Sequence, residues 1–521
     1  MWHVNPVVIT LAILVVAVVA FMSNKVPIGI VALGVAGLLW ATGVLTLNQS
    51  LAGFGDPTVI FIATLFVVSE ALDSTGVTAW AGQQVITRGG TKRTPLLVVI
   101  CLLVAGLTAL ISVNGAVAAL IPVVVVVAVR VGIAPSQLLM PLAFSAHAGS
   151  MLALTGTPVN IIVSEAAAEA GARPFTFFEF GLAGLPLVVG TIAIIAVLGN
   201  KLLPHRTPSV LTPDLSRHAR VLREQYALPE GTELVGVRKG FTEVVIPPRS
   251  ELVGAHLFPG MCTPSGDLVV LGLQRAGEDL GPDSRLQVGD TLLVRGDWDH
   301  LAEHTAGPDV LVVDDPTEMR RAVPLGVGAK RAIVILAAMV VLLATGAVPA
   351  AIAGLLAACA IVLTGVLTPT QAYWAISWTT VVLVAGMIPL STAFISTGTA
   401  DLIAKGLLET IGGTSPRLAL LALCVLTVVL GQLISNTATV LIMAPIGVVL
   451  AADLSVSVLP FMMALTVSGA ASFLTPVATA ANTMVMEPGD YRFTDYWKLG
   501  LPLLVLFVLV AVFWVPFVWP F

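Results

Sequence analysis

Gly156-Thr157-Pro158-Val159-Asn160 and Pro476-Val477-Ala478-Thr479-Ala480-Ala481-Asn482 each interrupt a long apolar stretch, and Asn160 and Asn482 stand 322 residues apart. Proline removes a backbone donor, and such breaks at membrane depth are tolerated only where they line a cavity or are buried in protein. The same spacing runs through the chain. Gly43-Val44-Leu45-Thr46 recurs as Gly365-Val366-Leu367-Thr368, Ser74-Thr75-Gly76 as Ser396-Thr397-Gly398, and Pro27 as Pro349. After a slip of one residue, Gly89-Gly90-Thr91 meets Gly412-Gly413-Thr414, Ser112 meets Ser435 and Pro122 meets Pro445; the register then thins to Gly184-Leu185-Pro186 against Gly500-Leu501-Pro502. A register held this long marks two homologous halves, the pattern of a membrane carrier.

A mean hydropathy of +0.99, with 57% hydrophobic and 11% charged residues, requires a bilayer as solvent. Apolar runs of about 20 residues, long enough to span, begin near Val7, Pro27, Thr58, Ala134 and Leu182, and again near Ala332, Pro349, Thr379, Val456 and Leu499. Residues 1–10 lack a basic start, so no cleavable signal peptide is expected. Leu96 to Arg130 and Arg417 to Val449 are apolar but broken midway, by Ser112-Val113-Asn114 and Ser435-Asn436-Thr437. They read as re-entrant hairpins. The expected fold is a polytopic α-helical membrane protein of two inverted repeats, each of five transmembrane helices plus one hairpin, with an inserted small α/β cytoplasmic domain. The divisions fall at 1–204, 205–330 and 331–521. The four cysteines are scattered and are expected to pack in the core.

Of the 25 Lys and Arg residues, 14 lie between Arg206 and Arg331. By span count Lys25, Arg88, Lys92, Arg93, Arg130, Lys201, Arg492 and Lys498 share the side of that insert, and only Arg173, Lys405 and Arg417 fall opposite. The positive-inside rule then makes the insert cytoplasmic and both termini extracytoplasmic, in a cell (inner or plasma) membrane.

Within the insert, the runs Glu243-Val244-Val245-Ile246, Leu268-Val269-Val270-Leu271 and Thr291-Leu292-Leu293-Val294 read as strands between Pro/Gly/Asp turns. Pro247-Pro248-Arg249-Ser250-Glu251-Leu252-Val253-Gly254, followed by Leu286-Gln287-Val288-Gly289-Asp290-Thr291-Leu292-Leu293-Val294-Arg295-Gly296-Asp297, resembles the C-terminal RCK (TrkA-C) domain. That resemblance implies a homodimer and a nucleotide or second-messenger ligand; a dimer spacer without ligand is the other reading.

The apolar core offers Ser112, Asn114, Thr155, Gly156, Thr157, Asn160, Ser435, Asn436, Thr437, Thr475, Thr479 and Asn482, with no Lys or Arg among them. Hydroxyl and carbonyl oxygens suit Na⁺, while helix N-termini and side-chain donors suit a small anion. A dianion in low dielectric needs cations to offset its charge, so coupling to Na⁺ is expected. Ser, Thr and Asn in one membrane helix are usually packing groups; their recurrence in both halves argues for a site. Glu70 and Asp73 lie near a cytoplasmic helix end, where solvated or salt-bridged roles are expected. His147 has no matching His in the second half and is open to two readings, a helix–helix hydrogen bond or a titrating switch.

Ser435-Asn436-Thr437-Ala438-Thr439, Gly156-Thr157-Pro158-Val159-Asn160 and Pro476-Val477-Ala478-Thr479-Ala480-Ala481-Asn482 resemble the divalent anion:Na⁺ symporter family (SLC13-type) over nearly the whole membrane part. The resemblance implies elevator transport of a dicarboxylate, citrate or sulfate, and no enzyme activity. It implies one Na⁺ site at Ser435, Asn436 and Ala478, a second at Ser112 and Gly156, and a substrate facing Asn114, Thr157, Asn436, Thr437 and Thr479. Asn160 and Asn482 complete the expected substrate set. The chain departs from the family at Val113-Asn114, where an Asn followed by Thr is usual, and at Ala480-Ala481, which replaces a second Pro-Pro. An RCK-gated channel or cation/proton antiporter is the competing class, though the chain lacks a Thr-Val-Gly-Tyr-Gly filter. The expected partners are thus a small anion, Na⁺, lipid and a second copy of the chain, with no nucleic acid.

Overall fold

In the computed structural model, residues 5–23, 25–78, 80, 92–206, 222, 225–226, 236, 238–263, 265–281, 284–313, 315–321, 325–411 and 415–521 are described. The Gly89-Gly90-Thr91 and Gly412-Gly413-Thr414 pair, and Arg88, lie outside them. The chain divides into two compact units, one of Met1–Glu70, Val85–Val210 and Val334–Phe521, the other of Ala71–Gln84 and Leu211–Ile333.

The larger unit is helical, and its elements recur in the same order. Helices Pro6–Ser23, Ile28–Ala41, Pro57–Ser74, Arg93–Thr108, Val113–Val131, Leu139–Gly149 and Phe180–Leu202 are answered by Ala329–Thr345, Ala350–Leu363, Trp378–Thr397, Pro416–Gly431, Asn436–Asp453, Leu459–Gly469 and Tyr496–Leu509. Local chemistry explains the shared boundaries. Pro27 and Pro349 precede their helices, and Gly43 (φ 74°) and Gly365 (φ 69°) follow them in the left-handed conformation that an L side chain resists. Thr46 and Thr368 then open short helices with the same reciprocal cap, to Gln49 and Gln371.

Among the described residues, Leu47–Ser74, Phe180–Leu202, Trp378–Thr397, Asn436–Asp453 and Phe493–Val518 are long and apolar enough to cross a membrane. Asn436–Asp453 is expected from the sequence as a hairpin arm and not as a span, and the other expected spans are shorter. The helices after Pro27 and Pro349 have 14 residues each, about 21 Å at 1.5 Å per residue, because the Gly43 and Gly365 turns stop them. The spans expected from Ala134 and Val456 are each split into two helices by the breaks described below. Cys101 and Cys424 pack in the core as expected, but Cys262 and Cys359 are exposed.

The helices approach the breaks closely. A methyl group on Gly184 would overlap the Met151 carbonyl, and one on Gly500 the Phe473 carbonyl. The first approach thus brings Phe180–Leu202 onto one break and the second brings Tyr496–Leu509 onto the other. Leu203 to Arg206 stay with this unit. Ser136 Oγ donates to Pro204 O (2.7 Å) and accepts from Arg206 N (2.8 Å), and Gln137 Nε2 donates to Leu203 O (3.1 Å). Arg206 also pairs with buried Asp495 at 2.8 Å.

The smaller unit contains a five-stranded antiparallel sheet of β1 (Lys239–Val245), β2 (Leu268–Arg275), β3 (Glu278–Asp279), β4 (Thr291–Asp297) and β5 (Leu311–Val312), in the order β3-β2-β4-β1-β5. Phe241, Val270, Leu273, Leu292, Leu293, Trp298 and Leu301 are in its core. The turn entering β4 is fixed by Asp290, whose carboxylate accepts from Arg275 Nε and Nη2 (2.7 and 2.8 Å) and from Gln287 N (2.7 Å). Burial pushes the Asp290 carboxyl up, but the Arg275 and Gln287 bonds outweigh it and hold the group below its usual range. Its stabilisation is therefore complete above the unfolded carboxylate pKa and fades as pH falls through the depressed folded value. Asp290→Asn should cost this unit about 2 kcal/mol, since Arg275 stays partly solvated. At neutral pH, amide exchange in Thr291–Asp297 of the intact protein should speed up by about 30-fold if that strand opens with the unit; unchanged exchange would contradict the assignment.

Candidate functional site

The site is built from two helix caps and two helix breaks. Ser112 (φ −63°, ψ 147°) caps Val113–Val131 by accepting from Gly115 N at 3.2 Å. Ser435 (φ −62°, ψ 148°) caps Asn436–Asp453 by accepting from Ala438 N at 3.3 Å. An extended cap residue that ends a loop and starts a helix leaves the first-turn N–H groups pointing outward, where they attract anions. Val113 and Asn114 open one helix, Asn436 and Thr437 the other. Asn114 is exposed, and Ser112, Ser435, Asn436 and Thr437 are half-buried.

In each break a helix stops and a 3₁₀ turn follows, Leu154–Gly156 in one half and Pro476–Ala478 in the other. The chain then restarts from an extended threonine, Thr157 (φ −154°) or Thr479 (φ −145°). The freed carbonyls need donors, and the two asparagines supply them. Asn160 Nδ2 donates to Ser150 O (3.0 Å) and Ala153 O (2.9 Å); Asn482 Nδ2 donates to Ser472 O (2.8 Å) and Thr475 O (3.2 Å). Both side chains are fully buried, so their amide hydrogens brace the breaks. Each Oδ1 is buried without a partner. Tyr496 adds a brace in the second half, its hydroxyl donating to Asn482 O at 2.6 Å. Gly156 is required where it stands, because a methyl there would overlap the Ser150 carbonyl. Its counterpart Ala478 already carries one.

Side-chain ties hold each tip to its break. In the first half Thr155 Oγ1 donates to Ala109 O at 3.0 Å. In the second, Gln432 Nε2 donates to Ala471 O (3.0 Å), Leu474 N donates to Gln432 Oε1 (3.1 Å), and Ser472 Oγ donates to Asn436 Oδ1 (2.5 Å). Val113, at the place of Asn436, offers no such acceptor, and Ser150 Oγ turns back to His147 O at 2.8 Å instead. The breaks also cross over: helix Pro158–Glu169 packs on Asn436–Asp453, and Ala480–Met484 packs on Val113–Val131. Ser112, Gly156, Thr157, Ser435, Asn436, Ala478 and Thr479 thereby belong to one cluster. His147 joins it, with Nε2 3.1 Å from Thr479 Oγ1 and its ring edge-on to Phe473.

Gln432, Thr155, Ser472 and Tyr496 were not singled out as tip-to-break ties or braces by the sequence pattern. The signal was present for some: Ser472 answers Ser150 at the repeat spacing, and Cys101 and Cys424 occupy equivalent places in the tip-bearing helices. The cluster offers hydroxyls, amides and helix N-termini. Such a surface can bind an anion through N–H and O–H donors and a desolvated cation through oxygens, with no fixed charge of its own. Among the described residues no group of three His, Cys, Asp or Glu side chains is placed to hold a metal.

A family model described as citrate transporter matches residues 18–414 and 407–521. The uncharacterized transporter YfbS of Escherichia coli (strain K12) is 31% identical over 98% of this chain and 99% of its own length. Sodium/sulfate cotransporter 1 of Chlamydomonas reinhardtii is 29% identical over 44% of this chain and 27% of its own. The crystal structure of the Alcanivorax borkumensis YdaH transporter aligns over 99% of both chains with a TM-score of 0.52 and 15% identity, a likeness of fold.

Proposed function

This chain belongs to the citrate transporter family, and we propose that it is a secondary active carrier of a small divalent anion, a dicarboxylate, citrate or sulfate, coupled to Na⁺. The observation that carries this reading is the doubled cap-and-break cluster, which gathers donors and oxygens but no fixed cation. A dianion held there must bring its counter-charge with it. The sodium named for the Chlamydomonas relative supports that choice.

In this proposal Ser112 and Gly156 hold one Na⁺, and Ser435, Asn436 and Ala478 the other. Asn114, Thr157, Asn436, Thr437 and Thr479 face the anion. Asn436 can serve both because Ser472 occupies only part of its Oδ1, leaving a lone pair and the whole amide N–H₂. Asn160 and Asn482 contribute by keeping the breaks open, with their unpaired Oδ1 atoms as remaining acceptors. Inverted repeats would let the cluster face either side of the membrane in turn, by elevator movement. The insert is taken as cytoplasmic, TrkA-C-like and dimerising, and as the seat of a regulatory ligand.

Purified protein in liposomes, offered sulfate, succinate and citrate in counterflow, should take up one class saturably, with a sigmoidal dependence on external Na⁺. Rapid cation flux without saturable anion uptake would replace this reading with the channel or antiporter class. Uptake driven by a pH gradient alone would keep the carrier and remove Na⁺.

A further inference from the structure

Thr479 and Thr157 occupy equivalent places at the two breaks, yet their hydroxyls are treated differently. Thr157 Oγ1 accepts a single 3.4 Å bond from Val159 N. Thr479 Oγ1 accepts from Asn482 N at 3.3 Å and also meets His147 Nε2 at 3.1 Å. The residue that answers His147 at the repeat spacing is Gly469, which has no side chain to offer. A methyl there would press on Val440. The imidazole is therefore a one-sided addition to an otherwise doubled site, and it is 4% exposed.

We propose that His147 is a positioning residue that turns the Thr479 hydroxyl into an obligatory donor toward the transported anion; this rests on Thr479 facing the anion in the reading above. A hydroxyl has one hydrogen and two lone pairs. If one lone pair is taken by Asn482 N–H and the other by His147 Nε2–H, only the hydroxyl hydrogen is left on Thr479 Oγ1, and it must point away from both. In this proposal the imidazole carries its proton on Nε2 and donates it to Thr479 Oγ1. Phe473, edge-on at 5.9 Å between ring centroids, limits the tilt of the imidazole. Thr157 has no such partner, so its hydroxyl can rotate between donor and acceptor. The two threonines thus divide the work: Thr479 is committed to the anion, and Thr157 adapts to whichever neighbour it meets.

The test is anion uptake by liposomes containing the full chain with His147→Leu, His147→Gln, Thr479→Val and the His147→Leu/Thr479→Val pair. Glutamine keeps an N–H donor and leucine does not. His147→Leu should raise the KM for the anion by about 10-fold with little change in maximal rate, the size of one charge-assisted hydrogen bond. His147→Gln should recover to within about threefold of wild type, and the double variant should be no worse than Thr479→Val alone. Equal KM in wild type and His147→Leu overturns the proposal. So do equal defects in Leu and Gln, or additive losses in the double variant, which would make His147 a packing residue. Absence of saturable anion uptake by the wild-type protein is a different result: it removes the carrier reading itself.

Discussion

Asn436→Ala is expected to reduce anion uptake by at least about 100-fold while leaving folding and oligomeric state unchanged. The side chain opens helix Asn436–Asp453 at the tip, is half-buried, and is tied to the break through Ser472. Truncation removes an oxygen proposed for Na⁺ and a donor proposed for the anion. Two bonds to charged partners, at about 1.5–3 kcal/mol each, give that factor or more. The Ser435 cap and the Gln432 bonds do not involve Asn436, so the tip should keep its shape. Initial rates of labelled anion uptake, read beside a size-exclusion profile, decide the matter. Uptake within about threefold of wild type, from protein that elutes normally, would remove Asn436 from the site.

A methyl group at Gly500 is expected to do more harm to folding than any change at the tip. Helix Tyr496–Leu509 touches the second break through that glycine, and the added carbon would lie 2.2 Å from the Phe473 carbonyl oxygen, a backbone atom that no rotamer change can clear. Moving the helix outward would also disturb the Tyr496 bond to Asn482 and the edge-on contacts of Phe473 with Phe507 and Phe144. Overpacking of this kind costs about 1–3 kcal/mol or more, enough to lower the yield of folded protein severely. Gly184→Ala should behave alike at the Met151 carbonyl. Gly37→Ala, in a helix where nothing lies within 4 Å of the new carbon, serves as the control and should be neutral or slightly stabilising. Normal thermal stability for Gly500→Ala would show that the helix is free to shift.

Much of the helical plan was legible because the repeat forces it. Pro27 with Pro349, Gly43 with Gly365 and Ser112 with Ser435 each mark a boundary by local chemistry, and the boundaries fall beside them. Helix length was less legible, since hydropathy does not register a glycine turn that halts an apolar run. The sequence names candidate site residues but not the bonds that their side chains make within the fold. Asn160 and Asn482 were read as facing the anion, whereas their amide hydrogens are consumed by carbonyls 7 and 10 residues earlier. A sequence shows that an amide stands at a break; it cannot show which carbonyls the break has set free. Val113 was visible as a departure from the family pattern, and its consequence, the turned-away hydroxyl of Ser150, needed coordinates.

The Thr155 and Gln432 ties bear on how far two halves of like plan can differ in their letters. In one copy the break lends a hydroxyl to the tip's backbone; in the other the tip lends an amide to the break's backbone. Ala109 stands where Gln432 would, and Val477 where Thr155 would. The halves thus differ at both positions while each keeps a tie, because a main-chain carbonyl is available at every residue to whichever side chain comes within reach. Differences of this kind lower the identity between the halves while mechanical equivalence persists. The halves are accordingly more alike as mechanical parts than letter-by-letter comparison of these loops suggests.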